Sequence, residues 1–340
     1  MVFFSESLQN KRSRNEDSCC HMDLKMNHEA TVSAFAVADG MGGLSAGNLY
    51  SKTAISIWYQ ELVNILMSEE FKDCSLETQI DSLKTFCQDI FDKINQRLYK
   101  KGMDAGLKGG TTLTTAIHFW DTWIFANCGD SPIYVMRKDR LELISEIQNL
   151  AWQLVKEGKT QIGSTLFLQN KNRLLEYLGR RQETRPHLVC LEGDQVQCVL
   201  MGSDGAFGNI RQGHLEKMIK DKRDKSQILS TILEYARNLG ENDNQTAFLI
   251  FPPPRKMETS PDQNKAVTVV EGRDFIPLEE IRSGIPDDMI RPAEENLRTL
   301  SPDKGLGIMQ EEEPARFRTV KEESLKSRFL KMFAKGREED

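Results

Sequence analysis

Apolar residues along this chain follow two periods. In residues 45–67 they recur at Leu49, Ala54, Ile57, Trp58, Leu62, Ile65 and Leu66. In residues 77–99 they recur at Ile80, Leu83, Phe86, Cys87, Ile90, Phe91, Ile94 and Leu98. Steps of three and four place one apolar stripe on a helix, so the spacing predicts two long amphipathic helices packed on a core. Residues 31–38 (TVSAFAVA) are a short, nearly continuous apolar run ending in Asp-Gly, which predicts a buried strand. The period then shortens. Residues 111–119, 122–128, 133–137 and 141–145 are β-rich and separated by turn residues such as Gly129-Asp130-Ser131-Pro132, the pattern of an antiparallel meander. Residues 147–157 predict a helix. Residues 187–191 and 195–201 flank Glu192-Gly193-Asp194, a hairpin signal. Helices near 215–219 and 226–238 and a strand at 245–251 complete the pattern. Two early helices, many antiparallel strands and two late helices predict sheets covered by helices, not the regular alternation of a parallel α/β fold.

Proline divides the chain. Only Pro132 and Pro186 precede residue 252, whereas nine prolines lie between Pro252 and Pro314. Proline lacks a backbone donor and suits linkers better than packed helices or central strands. The expected division is a compact body over 1–254 and an extension over 255–340. With 39% hydrophobic residues among 340, the chain has enough apolar material for a core. No run approaches the ~18 apolar residues of a membrane span, and the first residues lack the basic and apolar blocks of a secretory signal. The 51 acids outnumber the 45 bases, which argues against a nucleic-acid partner. Seven scattered cysteines with no Cys-x-x-Cys pair, and five histidines without zinc-ligand spacing, indicate free thiols in a reducing, cytoplasmic setting.

Candidate chemistry gathers at strand ends. Asn15-Glu16-Asp17, Ala38-Asp39-Gly40, Gly129-Asp130-Ser131, Ser203-Asp204-Gly205 and Asn242-Asp243-Asn244 each set an acid beside glycine or asparagine. Singly, each reads as a turn. Together they can converge at one edge of a fold, where carboxylates repel unless protons or cations neutralise them. Mg²⁺ and Mn²⁺ are the natural hard partners. Two such ions can hold a bridging hydroxide that attacks a phosphoryl group in line. Arg12, four residues before Glu16, is suited to phosphate oxygens, or belongs to a solvated basic run with Lys11 and Arg14. Gly109-Gly110-Thr111-Thr112 lacks the Lys of a nucleotide-binding loop and reads as a strand start passing close to other backbone.

The order and spacing of Arg12…Asn15-Glu16-Asp17, Val37-Ala38-Asp39-Gly40-Met41-Gly42-Gly43, Gly110-Thr111-Thr112, Asn127-Cys128-Gly129-Asp130-Ser131, Gly202-Ser203-Asp204-Gly205 and Asp243-Asn244-Gln245-Thr246 resemble the metal-dependent protein phosphatases of type 2C, in their short bacterial form. The resemblance spans residues 11–251. It implies an α+β fold, a four-layer α-β-β-α sandwich with two antiparallel sheets between helix pairs. It also implies hydrolysis of phosphoserine and phosphothreonine in proteins with two Mg²⁺ or Mn²⁺ ions and a looser third. By the family pattern Asp39 bridges both ions, the Gly40 carbonyl contacts one, and Glu16 touches an ion or orients a bound water. Asp204 and Asp243 complete a coordination sphere, Asp17 supports from behind, Asp130 belongs to the weak third site, and Arg12 grips the substrate phosphate.

Four positions depart from the pattern. Met41 replaces a histidine of the animal members, leaving leaving-group protonation to water. Pro132 replaces an arginine. Gly208 replaces a second aspartate after Asp204, so the third site would keep only Asp130 and Asp204. Ile147-Gln148-Asn149 replaces Asp-His-Ser, with a less direct role. These departures give the alternative reading of a catalytically weak binding or regulatory module. In the extension, residues 266–270 suggest a short strand. Residues 315–337 carry eight bases against two acids with apolar residues at helical spacing. A basic amphipathic helix there would face an anionic membrane, an acidic partner or the acidic body of the same chain.

Overall fold

The computed structural model describes residues 1–26, 30–42, 46–221 and 224–253, with two short strands at 268–269 and 318–319. Strand Thr31–Gly42 (β3) shows why its sequence is so apolar. Successive side chains leave a strand on opposite faces. Val32, Ala34, Ala36 and Ala38 join a core cluster with the long helices, while Phe35 and Val37 enter a second cluster between two sheets. Neither face meets water, so no polar alternation appears.

Asp17–Lys25 (β2), β3, Leu113–Phe119 (β5), Thr122–Cys128 (β6) and His187–Glu192 (β9) pair in that order, and Gly109–Thr111 (β4) adds to the end of β3. The second sheet runs through Val2–Leu8 (β1), Gln245–Phe251 (β11), Cys198–Gly202 (β10), Ile133–Arg137 (β7) and Arg140–Leu143 (β8). All pairings are antiparallel. Helices Ala46–Met67 (α1) and Leu76–Ala105 (α3) cover the first sheet, burying Trp58, Leu62, Phe91 and Ile94. Gln212–Asp221 (α7) and Ile228–Asn238 (α8) cover the second, burying Leu215, Leu229 and Ile232. Between the sheets lie Phe35, Trp123, Phe125, Val199 and Phe248. These are the four layers that the resemblance implies.

Two readings of connectivity are corrected. The expected meander is divided: β5 and β6 belong to one sheet, β7 and β8 to the other, and residues 129–132 carry the chain across. Likewise β9 and β10 are not a hairpin. The turn Gly193–Gln195 passes the chain from the first sheet to the second. Turn chemistry reverses a strand but does not choose its neighbour. Two helix limits also shift for local reasons, and one helix is added. α3 runs on to Ala105, where Gly106 takes φ 64° and Leu107 N donates to the Gly102 carbonyl (2.9 Å), a left-handed cap. The helix expected from 147 begins at Leu150 (Leu150–Lys156, α4), because the Asn149 side chain caps it by accepting from Trp152 N (3.1 Å). Thr165–Asn170 (α5), capped by Ser164, was not signalled by periodicity.

Beyond the body, Thr268–Val269 (β12) and Arg318–Thr319 (β13) pair antiparallel. The first falls inside the expected strand. The second is extended, which corrects an unbroken helix over 315–337 at those two residues; β-branched Thr319 favours extended backbone. The rest of that expected helix lies outside the described residues. Among the described residues, no helix is long and apolar enough to cross a membrane.

Candidate metal centre

Strand register gathers the acids. Asp17, at the start of β2, pairs directly with Asp39 in β3. β3 pairs Val37 with Thr114 at the start of β5, whose Leu113 pairs with Cys128 at the end of β6, two residues before Asp130. In the other sheet the end of β10 (Gly202) pairs with Ala247 near the start of β11, and Met201 pairs with Ile133 at the start of β7. Asp204 opens the short helix Asp204–Phe207 (α6) just after β10, and Asp243 precedes β11. Antiparallel pairing thus brings five aspartates from distant sequence positions to one end of the sandwich.

They surround an open cavity of about 600 Å³. Arg12, Glu16, Asp39, Gly40, Asp130, Asp204 and Asp243 line it, so of the candidate site residues only Asp17 does not. Asp17 is buried behind, where Ser203 Oγ donates to its Oδ2 (2.8 Å). Burial, with the nearby charges of Asp204 and Asp243, pushes the Asp17 carboxyl up to about 7. Asp39 is raised by burial and then by Asp17 and Asp204. Asp204 is raised by burial and Asp243, and it shares a hydrogen bond with Asp39. Burial and Asp204 push Asp130 up to about 8. Glu16 is raised more modestly by burial, against the pull of Arg12.

Such a set is an electrostatic deficit that cations relieve. Among the described residues, no three His, Cys, Asp or Glu side chains close around a single point as a cage. The arrangement suits hard ions that keep several water ligands and take one or two carboxylates each, which is Mg²⁺ and Mn²⁺ behaviour. Gly40 supports this fit. A β-carbon there would lie 2.5 Å from the Glu16 carbonyl oxygen and 2.2 Å from that of Gly47, so only glycine lets the backbone enter this corner of the cavity. The donor set of carboxylates and carbonyl is hard throughout.

Arg12 stands at the rim, 58% exposed, with Nη2 2.6 Å from Asp243 Oδ2. Its loop is tied down by Asn244, whose Oδ1 accepts from Glu16 N (2.9 Å) and whose Nδ2 donates to the Gln9 and Arg14 carbonyls (both 2.9 Å). The Gly-Gly-Thr-Thr segment is a close backbone approach: Thr112 N donates to the Asp39 carbonyl (2.9 Å), and Asp39 N donates to Thr112 Oγ1 (3.0 Å).

Several contributors were missed or ranked low. The Gln148-Asn149 departure is in direct contact with the site: Asn149 Nδ2 donates to Asp130 Oδ2 (3.2 Å), and Gly129 N donates to Gln148 Oε1 (2.8 Å). Asn172 and Leu174, from the long connection before β9, line the cavity without any motif to mark them. Asn244 was legible as part of its motif, but not as the clamp of the Arg12 loop.

Comparison with known proteins agrees with this geometry. Residues 1–149 match the family model "Protein phosphatase 2C". The "Serine/threonine phosphatase stp" of Listeria monocytogenes serotype 4b is 27% identical over 242 residues, 70% of this chain and 90% of the relative. In fold, the chain resembles serine/threonine phosphatase Stp1 from Staphylococcus aureus (TM-score 0.63, 21% identity, 74% of this chain and 94% of that one). It also resembles the catalytic domain of the serine/threonine phosphatase PstP, in a complex with two manganese ions (TM-score 0.58, 21% identity, 74% and 97%). Motif order, sheet topology and relatives point the same way: residues 1–149 match the type 2C protein phosphatase family, and the body of the chain is similar to its bacterial members in sequence and in fold.

Proposed function

We propose that this chain is a protein serine/threonine phosphatase that uses two Mg²⁺ or Mn²⁺ ions, with its catalytic domain in residues 1–254. The observation that carries the reading is the convergence of Asp39, Asp130, Asp204 and Asp243 with Arg12 around one solvent-open cavity. Asp39, the Gly40 carbonyl, Glu16, Asp204 and Asp243 would hold the ions, with Asp17 supporting from behind. When bound, they neutralise charge on the phosphoryl group and activate water.

The chain's own residues set the rest. The Arg12–Asp243 pair is exposed, so it is weak and exchangeable. A phosphate dianion offers the guanidinium a two-pronged partner and can displace the carboxylate. Asp17 cannot reach substrate. Its bond from Ser203 joins β2 to the turn after β10 and fixes the two sheets' acids relative to one another. Met41 lines the cavity and carries no transferable proton, and among the described residues no histidine lines it, so the leaving serine or threonine oxygen would take its proton from solvent. An open mouth suits a phosphorylated side chain presented on a protein. The alternative of a weak binding module rests on Pro132 and Gly208. Gln148 and Asn149 supply support around Asp130 that the missing arginine would otherwise be needed to give. All seven cysteines are free and five are buried, which fits a cytoplasmic enzyme.

The purified chain should hydrolyse p-nitrophenyl phosphate and a phosphothreonine peptide with Mn²⁺, and Asp39→Ala should abolish both. Undiminished activity in excess chelator would refute the mechanism.

A further inference from the structure

Three pieces of chain that wall the cavity meet in one run of hydrogen bonds behind it. The first is the turn before β11. Glu241 Oε1 accepts from the N–H of Asn242 (2.9 Å) and from that of Asp243 (3.0 Å), so one carboxylate oxygen fixes the backbone that presents Asp243. The second is α6, whose first residue is Asp204. Asn209 lies just past the end of that helix, and its Nδ2 donates to Glu241 Oε2 (2.6 Å). The third is the long connection before β9, which carries the cavity-lining Asn172. Its Lys171 donates from Nζ to Asn209 Oδ1 (3.0 Å).

Chemistry sets the direction of this run. An ammonium and a backbone N–H only donate, and a carboxylate only accepts. With Lys171 at one end, Asn209 must turn its oxygen to the lysine and its amide to residue 241. With two N–H groups at the other end, residue 241 must accept on both sides. A glutamine there would set a donor against a donor on one side or the other, so only a carboxylate completes the run. Glu241, Asn209 and Lys171 do not line the cavity themselves. Their effect on it passes through Asp243, Asp204 and the connection.

We propose that Glu241 is a positioning residue for Asp243, and that Asn209 and Lys171 tie it to α6 and to the connection, so that the Asp243 side of the cavity meets its ion in a fixed geometry. This inference rests on the two-ion reading, in which Asp243 is an ion ligand. Groups that orient the ligands of a metal typically contribute about 10–100-fold to its affinity.

Calorimetric titration of the full chain with Mn²⁺ tests it without an activity assay. Asn209→Leu keeps the size of the side chain and every charge around the cavity, so electrostatics alone leaves Mn²⁺ binding unchanged. Loss of positioning should instead weaken one of the ions by about tenfold. Glu241→Gln should weaken the same ion, and the double variant should bind no worse than Glu241→Gln, because the side chains act as one unit. Lys171→Arg should match the native chain. Lys171→Met removes a positive charge, which by itself favours a cation, yet the lost tether should weaken binding. Native affinity in Asn209→Leu overturns the proposal, as do fully additive losses in the double variant or tighter binding in Lys171→Met. Glu241→Gln keeps the test open should Asn209→Leu not fold, which circular dichroism checks. An Asp243→Asn chain that loses no ion overturns the reading on which the proposal rests. One that loses an ion while Asn209→Leu binds as the native chain does overturns this proposal alone.

Discussion

β3 passes through two regions with opposite rules. Its middle, Val32 to Ala38, is buried on both faces mostly among apolar side chains, and among the described residues its one bond to a charged group is the Ser33 hydroxyl donating to Asp23 Oδ1 (2.5 Å). Its end, Asp39 and Gly40, faces four other aspartates and a solvent-open cavity. In the first region every contact contributes to stability. In the second, the contacts that matter to chemistry oppose folding until a cation arrives. Function is here a local debt against the stability of the rest of the strand.

That contrast can be broken at either end. Asp39→Asn should lower phosphatase activity by about 10³-fold or more, on the order of 4 kcal/mol in the transition state. The same change should raise the Tm of the chelated protein at pH 8, because it removes one of the crowded charges. A fall in that Tm would mean that the acidic end is not strained. In the middle of the strand, Phe35→Ala should cost about 3–5 kcal/mol in urea unfolding, as for other buried Phe truncations, with activity per folded molecule kept.

The acids also make a pH prediction. Asp17 and Asp130 have ordinary values of 3.8 and are raised to about 7 and about 8 in the fold. Between those limits these two groups hold more protons in the folded metal-free chain than in the unfolded one, so the stability they contribute is full below about pH 4 and declines as pH rises toward 8. Thermal scans in chelator should show Tm several degrees lower at pH 8 than at pH 5, and Mn²⁺ should raise Tm more at pH 8, where it need not displace protons. The smallest effect concerns support of the site. Asn149→Ala removes the α4 cap and the Asp130 bond and should cost about 1 kcal/mol in the urea midpoint. Asn149→Asp should keep the cap yet destabilise the chelated protein, since it sets a charge against Asp130.

How much of this was legible follows from the same division. The long helices and β3 could be read because an apolar stripe or run records which faces are buried. The aspartates could be read because acids beside glycine recur in a fixed order. Sheet membership could not: β9 and β10 are both short apolar strands around a turn, and nothing in Glu192-Gly193-Asp194 tells a hairpin from a crossing. Asn172 carries no motif, and the contacts of Asn149 and Ser203 were not legible in the segments that contain them, because neutral polar residues in loops follow no period and their roles exist only once distant strand ends meet.

β1 pairs along its whole length with β11, so the first and last strands of the body are neighbours. During synthesis the second sheet cannot close until β11 has left the ribosome, and Asp243, just before β11, is the last of the clustered acids to arrive. Ions therefore cannot template the early folding of this chain. On the two-ion reading, metal would load only once β11 has paired, and a nascent chain cut short before β11 has no assembled centre.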